Sequence, residues 1–176
     1  MDRIVKSAEG SKLVNNERIK YELSMSSSFF EFEQDFVGNL RCIPMTVRHS
    51  LDTCGVKLQL EHWNQFTQAE RQDLVSWPCA NDSEAQAYRD KLQTLVTEKV
   101  GKPAKTLDIP TSPPWQSQSE IPEQVQQKFE EQSVSLSLDQ WKSLSELQRF
   151  ALIKLSRPSH ENNNFLPALK EFGLLS

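Results

Sequence analysis

The sequence is poor in glycine and has no long apolar run. Its five glycines form no GxGxxG or Walker-type loop, which excludes the nucleotide-binding folds built on such loops. No run approaches the ~18 apolar residues that span a bilayer, and residues 1–28 lack the apolar core of a signal peptide. The net charge of −4 argues against nonspecific nucleic-acid binding, which depends on Lys and Arg displacing counterions. We expect a cytoplasmic globular protein that binds neither nucleic acid nor membrane.

Cysteine and histidine are also scarce, with three residues of each. The cysteines are Cys42, Cys54 and Cys79. An odd number of cysteines without an export signal favours thiols over disulfides. Their wide spacing differs from the close ligand pairs of structural zinc sites, and no HExxH or CxxH motif is present. The pattern predicts no metal site and no cofactor, with the cysteines as small buried hydrophobic residues.

The chain divides into four parts by composition. Residues 1–28 are polar and are interpreted as an N-terminal arm. A first helical unit is predicted over residues 29–101 and a second over residues 121–176. Residues 102–120 between them hold four prolines, which favour an extended linker over a helix. We expect the two units to pack together as one compact domain.

The two units resemble each other. Residues 43–77 laid on residues 121–155, an offset of 78, give nine identities in 35 pairs. This similarity predicts a mostly α-helical protein made by internal duplication, as two three-helix units related by pseudo-twofold symmetry. The shared residues assigned structural roles are Pro44, Trp63, Pro122 and Trp141.

Each unit also carries a short segment with alternating apolar residues. Val56–Leu60 and Val134–Leu138 each place three apolar residues on one face of an extended chain. Neither segment is long enough to be stable alone. Antiparallel pairing would satisfy both backbones, so the two segments are predicted to form a small β-ribbon on the symmetry axis.

Residues confined to one copy are candidates for function, because packing accounts for those that both copies share. The first copy gathers such residues in its first helix and the lead-in to it: Arg41, Cys42, Arg48, His49, Asp52 and Cys54. They are interpreted as a partner- or ligand-binding face. The alternative is a solvated helix face over a core that contains cysteine. Paired carboxylates such as Glu31 and Glu33 are interpreted as exposed charge, and no catalytic residue is predicted.

Four strings of the first unit carry a resemblance to a known family. They are Phe30-Glu31-Phe32-Glu33, the run LRCIPM from Leu40, the run LDTCGVKL from Leu51, and Trp77-Pro78-Cys79. Over about Phe30 to Gly101 the sequence resembles the nitrate reductase-associated protein family of cyanobacteria and other bacteria. The resemblance implies an association with assimilatory nitrate reductase, a cytoplasmic molybdenum and iron–sulfur enzyme. It also adds Cys79 to the candidate site residues.

Two functions remain open at this point. The first is a non-catalytic accessory factor that binds nitrate reductase, or an intermediate of its maturation, through protein–protein contact. The second is a thiol-based carrier or sensor of a metal, an iron–sulfur cluster or a small cofactor, using Cys42, Cys54 and Cys79. In the second case at least two sulfurs should approach one ion.

Overall fold

A computed structural model describes residues 29–158 and 163–175. The predicted arm, residues 1–28, lies outside the described residues. The chain enters through a 3₁₀ turn at Glu31–Glu33. The following elements are α1 (Gln34–Val37), α2 (Met45–Cys54), β1 (Val56–Lys57), α3 (Leu60–Gln65), α4 (Gln68–Ser76), α5 (Asp82–Val100), β2 (Lys105–Thr106), α6 (Glu123–Glu131), α7 (Leu138–Ser143), α8 (Glu146–Leu155) and α9 (Phe165–Glu171). The mostly helical class is thus confirmed.

The order of helices repeats along the chain. Helices α6, α7 and α8 begin 78 residues after α2, α3 and α4, respectively. Thr67 before α4 and Ser145 before α8 both form the capping boxes that the sequence indicates, with Glu70 and Gln148 as partners. The duplication and the pseudo-twofold relation of the units stay predictions.

The small sheet pairs differently from the prediction. Strand β1 pairs antiparallel with β2, with Val56 opposite Thr106. The predicted pairing of Val56–Leu60 with Val134–Leu138 is therefore wrong. Val56 is buried in the first core, whereas Val134 packs against the second. The two valines thus pack within their own units, while Leu60 and Leu138 of the same segments are exposed. The proline-rich segment supplies the backbone partner instead.

Gly55 brings that segment close to α2. It ends α2 with φ +67°, a left-handed conformation that glycine adopts without strain. A Cβ atom at Gly55 would lie 2.8 Å from both the backbone oxygen of Leu107 and Cγ1 of Ile109. The backbone N–H of Leu107 donates to the Gly55 carbonyl at 2.9 Å. Residues 105–109 are therefore held against the end of α2.

Two hydrophobic cores lie side by side. The larger buried residues of the first are Leu40, Val47, Leu51, Trp63, Leu74, Tyr88 and Leu92. Those of the second include Phe129, Trp141, Phe150, Leu152, Phe165 and Leu169. The second core also takes up Met45 from α2 and Trp115 from the proline-rich segment. Phe30 and Phe32 pack on it beside Phe172. Three parts of the chain that precede the second unit therefore contribute to its core: the turn at Phe30 and Phe32, the start of α2, and the proline-rich segment.

A tryptophan and an arginine hold a loop in each unit. Trp63 Nε1 and Arg71 Nη1 both donate to the Leu40 carbonyl, at 2.7 and 3.0 Å. In the second unit Trp141 Nε1 donates to the Ser117 carbonyl at 3.1 Å. Both indole rings are fully buried, which agrees with the structural role assigned to them from the sequence. Buried tryptophan combines a large apolar contact with one satisfied N–H donor, so each ring fixes a loop to its core.

Arg149 extends the arrangement in the second unit. It is 3% exposed, and its Nε donates to the Trp115 carbonyl at 2.8 Å while its Nη1 donates to the Leu144 carbonyl. A buried cation requires such acceptors, because an unpaired one is strongly destabilising. The proline-rich segment is therefore anchored in the second core at Trp115.

Truncation of either buried tryptophan tests this packing. Trp63→Ala and Trp141→Ala should each lower the free energy of unfolding by about 3–5 kcal/mol, because a large buried side chain is removed. Urea denaturation measures the change. Leu138→Ala, at a position 38% exposed in the same helix as Trp141, is the control and should cost about 1 kcal/mol or less. Unchanged stability in Trp141→Ala would contradict the assigned packing.

Candidate functional site

Helix α2 lies between the two units and contacts both. It packs on α5 of the first unit and on α8 of the second. His49 faces the second unit, where its Nε2 lies 3.0 Å from Oε1 of Glu146. The imidazole edge also packs against Trp115 and Phe150, with ring centroids 5.9 and 5.1 Å away. His49, a sequence-predicted site residue, therefore connects the units.

Asp52 makes the second polar connection, one turn further along α2. Its Oδ2 lies 2.5 Å from Nζ of Lys154 near the end of α8. Both side chains are largely buried, at 21% and 15% exposed. Burial lowers the pKa of Lys154, although the hydrogen bond and the charge of Asp52 act in the opposite direction. The positive charges of Arg157 and Arg48 also lower that pKa. Besides its partner Asp52, Lys154 therefore has two cationic neighbours, Arg48 and Arg157.

The start of α2 is capped by a carboxylate from a distant turn. Pro44 precedes the helix and has no side chain that could accept from it. Glu33 fills that role, since its Oε1 accepts from the backbone N–H of Met45 at 2.8 Å and its Oε2 from that of Phe30 at 3.2 Å. The first N–H groups of a helix need such acceptors. Glu33 is 1% exposed, so the interpretation of Glu33 as exposed charge is wrong.

The environment of Glu33 disfavours its charged form. Burial raises its pKa from 4.5 to about 7. The two backbone hydrogen bonds and the charge of Arg48 oppose the rise, and the charge of Glu171 adds to it. A signal for this buried acid was present in the sequence, because a helix that begins after proline lacks a capping side chain of its own. The acceptor had to come from elsewhere in the chain.

A cleft of about 350 Å³ opens beside the Asp52–Lys154 pair. It is formed by α2, by β1 and the residue after it, by Leu107 after β2, and by the end of α8. Its charged lining residues are Arg48, Asp52, Lys57, Lys154 and Arg157. Four cations and one carboxylate amount to a formal charge of +3 in a chain whose net charge is −4. We refer to this site as the basic cleft.

The walls of the basic cleft are apolar. Its uncharged lining residues are Ile43, Leu51, Val56, Leu58 and Leu107. A volume of this size falls within the range of small-molecule sites, which combine apolar walls with a few convergent polar groups. The arrangement can hold an anion with an apolar part.

The structure gathers only some of the sequence-predicted site residues. Arg48 and Asp52 line the basic cleft. Arg41 is exposed and donates from Nη2 to the Asp35 carbonyl, and Cys42 is half-buried. Neither of them lines the cleft. The predicted face is therefore divided between the cleft, the contact between the units and the surface near α1.

Sequence reasoning missed three residues of the cleft. Lys57, Lys154 and Arg157 correspond, at the offset of 78, to Ser135, Ser76 and Cys79. All three are therefore confined to one copy, and two of them belong to the second. A search for residues that differ between the two units, made in the second unit as well as in the first, would have selected all three.

Two of the three cysteines, Cys54 and Cys79, lie in or beside the first core. Cys54 Sγ is within 3.6 Å of the Leu51 carbonyl, and Cys79 Sγ is 3.8 Å from that of Ser50. Burial raises the pKa of Cys54 to about 12 and also raises that of Cys79. Such thiols are poor sources of the thiolate that binds metal. In residues 29–158 and 163–175, no group of three or more His, Cys, Asp or Glu side chains could hold a metal ion.

A second cavity lies beside Cys54 at the end of α2. It has a volume of about 320 Å³ and is lined by Thr53, Cys54, Arg89, Ile109 and the prolines that follow Ile109. Arg89 Nη1 donates to the Cys54 carbonyl at 3.1 Å. This cavity shares no lining residue with the basic cleft.

Comparison with known proteins identifies the family. The profile described as conserved nitrate reductase-associated protein matches residues 29–172. The chain belongs to this family. The resemblance noted in the first unit is thereby confirmed and extends through the second. The matched range contains the capping residue Glu33 and every lining residue of the basic cleft.

Searches of curated proteins and of solved structures give no match. Within the part of the chain that the structure describes, no helix is long and apolar enough to cross a membrane.

The raised pKa of Glu33 predicts a pH dependence of stability. A carboxyl group with pKa 4.5 when unfolded and about 7 when folded binds more protons in the folded state between these values. Its contribution is present below pH 4.5 and is lost as the pH rises through about 7, by up to about 1.4 kcal/mol per pH unit. Urea denaturation over this range should show the decline. Glu33→Gln should remove it and Glu31→Gln should not; an unchanged slope in Glu33→Gln would refute the assignment.

The Asp52–Lys154 pair is tested by a double-mutant cycle. Asp52→Asn and Lys154→Met, singly and together, should reveal a coupling energy larger than that of an exposed pair, up to about 3 kcal/mol in urea denaturation. The exposed pair of Asp73 and Lys91, 2.6 Å apart with Asp73 59% exposed, is the control. Its coupling should lie near 0.2–1 kcal/mol, because solvent screens it. A coupling at Asp52–Lys154 no larger than this would mean that the pair does not hold the units together.

Proposed function

We propose that this protein is a non-catalytic accessory factor that binds nitrate reductase, or an intermediate of its maturation, in the cytoplasm. The observation that carries the proposal is the family match over residues 29–172. The family description supports an association with the reductase. Help in its maturation or assembly is the form of association that we propose.

The structure offers a suitable contact surface next to the basic cleft. Leu107 and Ile109 follow β2 and are 39% and 52% exposed. Leu107 also lines the basic cleft, and Ile109 lines the second cavity. Protein interfaces commonly surround an apolar centre with a polar rim. We propose that the reductase docks on this surface, which we name the Leu107–Ile109 ridge.

The ridge is held in place before any partner arrives. The backbone of Leu107 is hydrogen-bonded to Gly55, and the Ile109 side chain lies against the same residue. A preordered surface loses less conformational entropy on binding than a mobile one. Docking on the ridge therefore requires little rearrangement of the accessory factor.

A pull-down tests the partner and the surface together. The tagged chain should retain nitrate reductase, identified by immunoblot, from cells grown on nitrate. The double variant Leu107→Ser/Ile109→Ser should retain much less, because the apolar centre of the contact is lost. The matched control is Leu138→Ser/Leu166→Ser, at positions 38% and 43% exposed in the second unit, and it should retain the reductase normally.

The maturation role has its own readout. Cells that lack the protein should contain reductase polypeptide at the normal level but with lower activity per molecule. Failure of the wild-type chain to retain the reductase would refute the proposal. Stoichiometric iron or zinc in the purified chain, lost in a stably folded Cys54→Ser variant, would favour the thiol carrier instead.

A further inference from the structure

The basic cleft holds more positive charge than its internal contacts require. Asp52 is the only carboxylate among its lining residues, and it is paired with Lys154. Lys57 and Arg157 have no ion-pair partner among residues 29–158 and 163–175. Arg48 also lines the cleft, where its Nε donates to the Ile43 carbonyl at 2.9 Å, so the surplus charge is that of Lys57 and Arg157. Like charges gathered in this way repel each other, and an anion would relieve the repulsion.

The size and walls of the cleft restrict the anion. A space of about 350 Å³ is much larger than a single inorganic oxyanion and lies within the range of small organic ligands. Its walls include the apolar side chains of Leu58 and Leu107. The two charges of Lys57 and Arg157 suit a dianion better than a singly charged group. Guanidinium and ammonium groups both bind phosphate, the first through paired N–H donors.

We propose that the basic cleft binds a small organic phosphate, with the phosphate group on Lys57 and Arg157 and the apolar part against Leu58 and Leu107. Arg48 and Lys154, which are less exposed than Lys57 and Arg157, line the same cleft. Asp52 opposes the anion and keeps Lys154 paired in its absence. This mode of binding relies on side chains and needs no glycine-rich loop.

Two probes distinguish an organic phosphate from phosphate alone. Titration calorimetry of the full chain with phenyl phosphate and with inorganic phosphate should show at least about tenfold tighter binding of the phenyl ester, because the ring buries apolar surface against Leu58 and Leu107. Added salt should weaken both. Equal affinities would overturn the assignment of an organic ligand. Absence of phenyl phosphate binding at millimolar concentration would overturn the site.

Charge variants locate the bound phosphate. Lys57→Gln and Arg157→Gln should each weaken phenyl phosphate binding about tenfold or more, because a charged hydrogen bond is lost. Lys142→Gln changes the charge equally at an exposed position outside the cleft and should have no effect. Asp52→Asn should tighten binding, since it releases Lys154 and raises the formal charge of the cleft to +4. A merely structural role of these residues would not give opposite signs.

The outcome is independent of the proposed partner, because no reductase is present in the titration. Thermal unfolding of each variant verifies that it is folded. Weakening by Lys142→Gln equal to that by Arg157→Gln would overturn the site, and so would unchanged binding in both Lys57→Gln and Arg157→Gln.

Discussion

The hydrogen bond from the Met45 N–H to the buried carboxylate of Glu33 determines how the rest of the protein assembles. It fixes the beginning of α2, and α2 is the element that both cores share. Because Met45 packs in the second core while Val47 and Leu51 pack in the first, a shift of this helix would disturb both. Glu33 belongs to the FEFE string and Met45 to the LRCIPM string. The two strings therefore form one structural feature, although eleven residues lie between Glu33 and Met45 in the sequence.

Much of the helical architecture could be predicted from the sequence because its signals are local. Capping boxes such as that of Thr67 and Glu70 involve residues three positions apart, and the structure forms them. The burial of Trp63 and Trp141 followed from their shared position in the two copies. The strand pairing could not be predicted in this way. Its correct partner, Lys105–Thr106, lies in the proline-rich segment, where no alternating apolar pattern marks a strand.

The candidate site was harder to predict than the fold because its residues come from both units. Asp52 and Lys154 are 102 positions apart, and only the packing of α2 on α8 brings them together. His49, a candidate binding residue that only the first unit has, lies in the contact between the units and does not line the cleft. A difference between the two units therefore marks two kinds of residue, those that line the basic cleft and those that lie in the contact between the units. Only the tertiary structure separates them.

The contact between the two ends of the described chain affects how it can fold during synthesis. The backbone N–H groups of Glu31 and Phe32 donate to the carboxylate of Glu171, at 2.8 and 3.2 Å, respectively. Glu31 and Glu171 are 140 positions apart, so this closure brings the FEFE turn onto the last helix. On the ribosome the FEFE turn is made long before α9 and cannot form its contact with Glu171 until α9 has been made. Contacts of such long sequence separation form late and slow folding. The rings of Phe30 and Phe32, which pack against Phe172 in the folded protein, therefore lack that contact until α9 has been made.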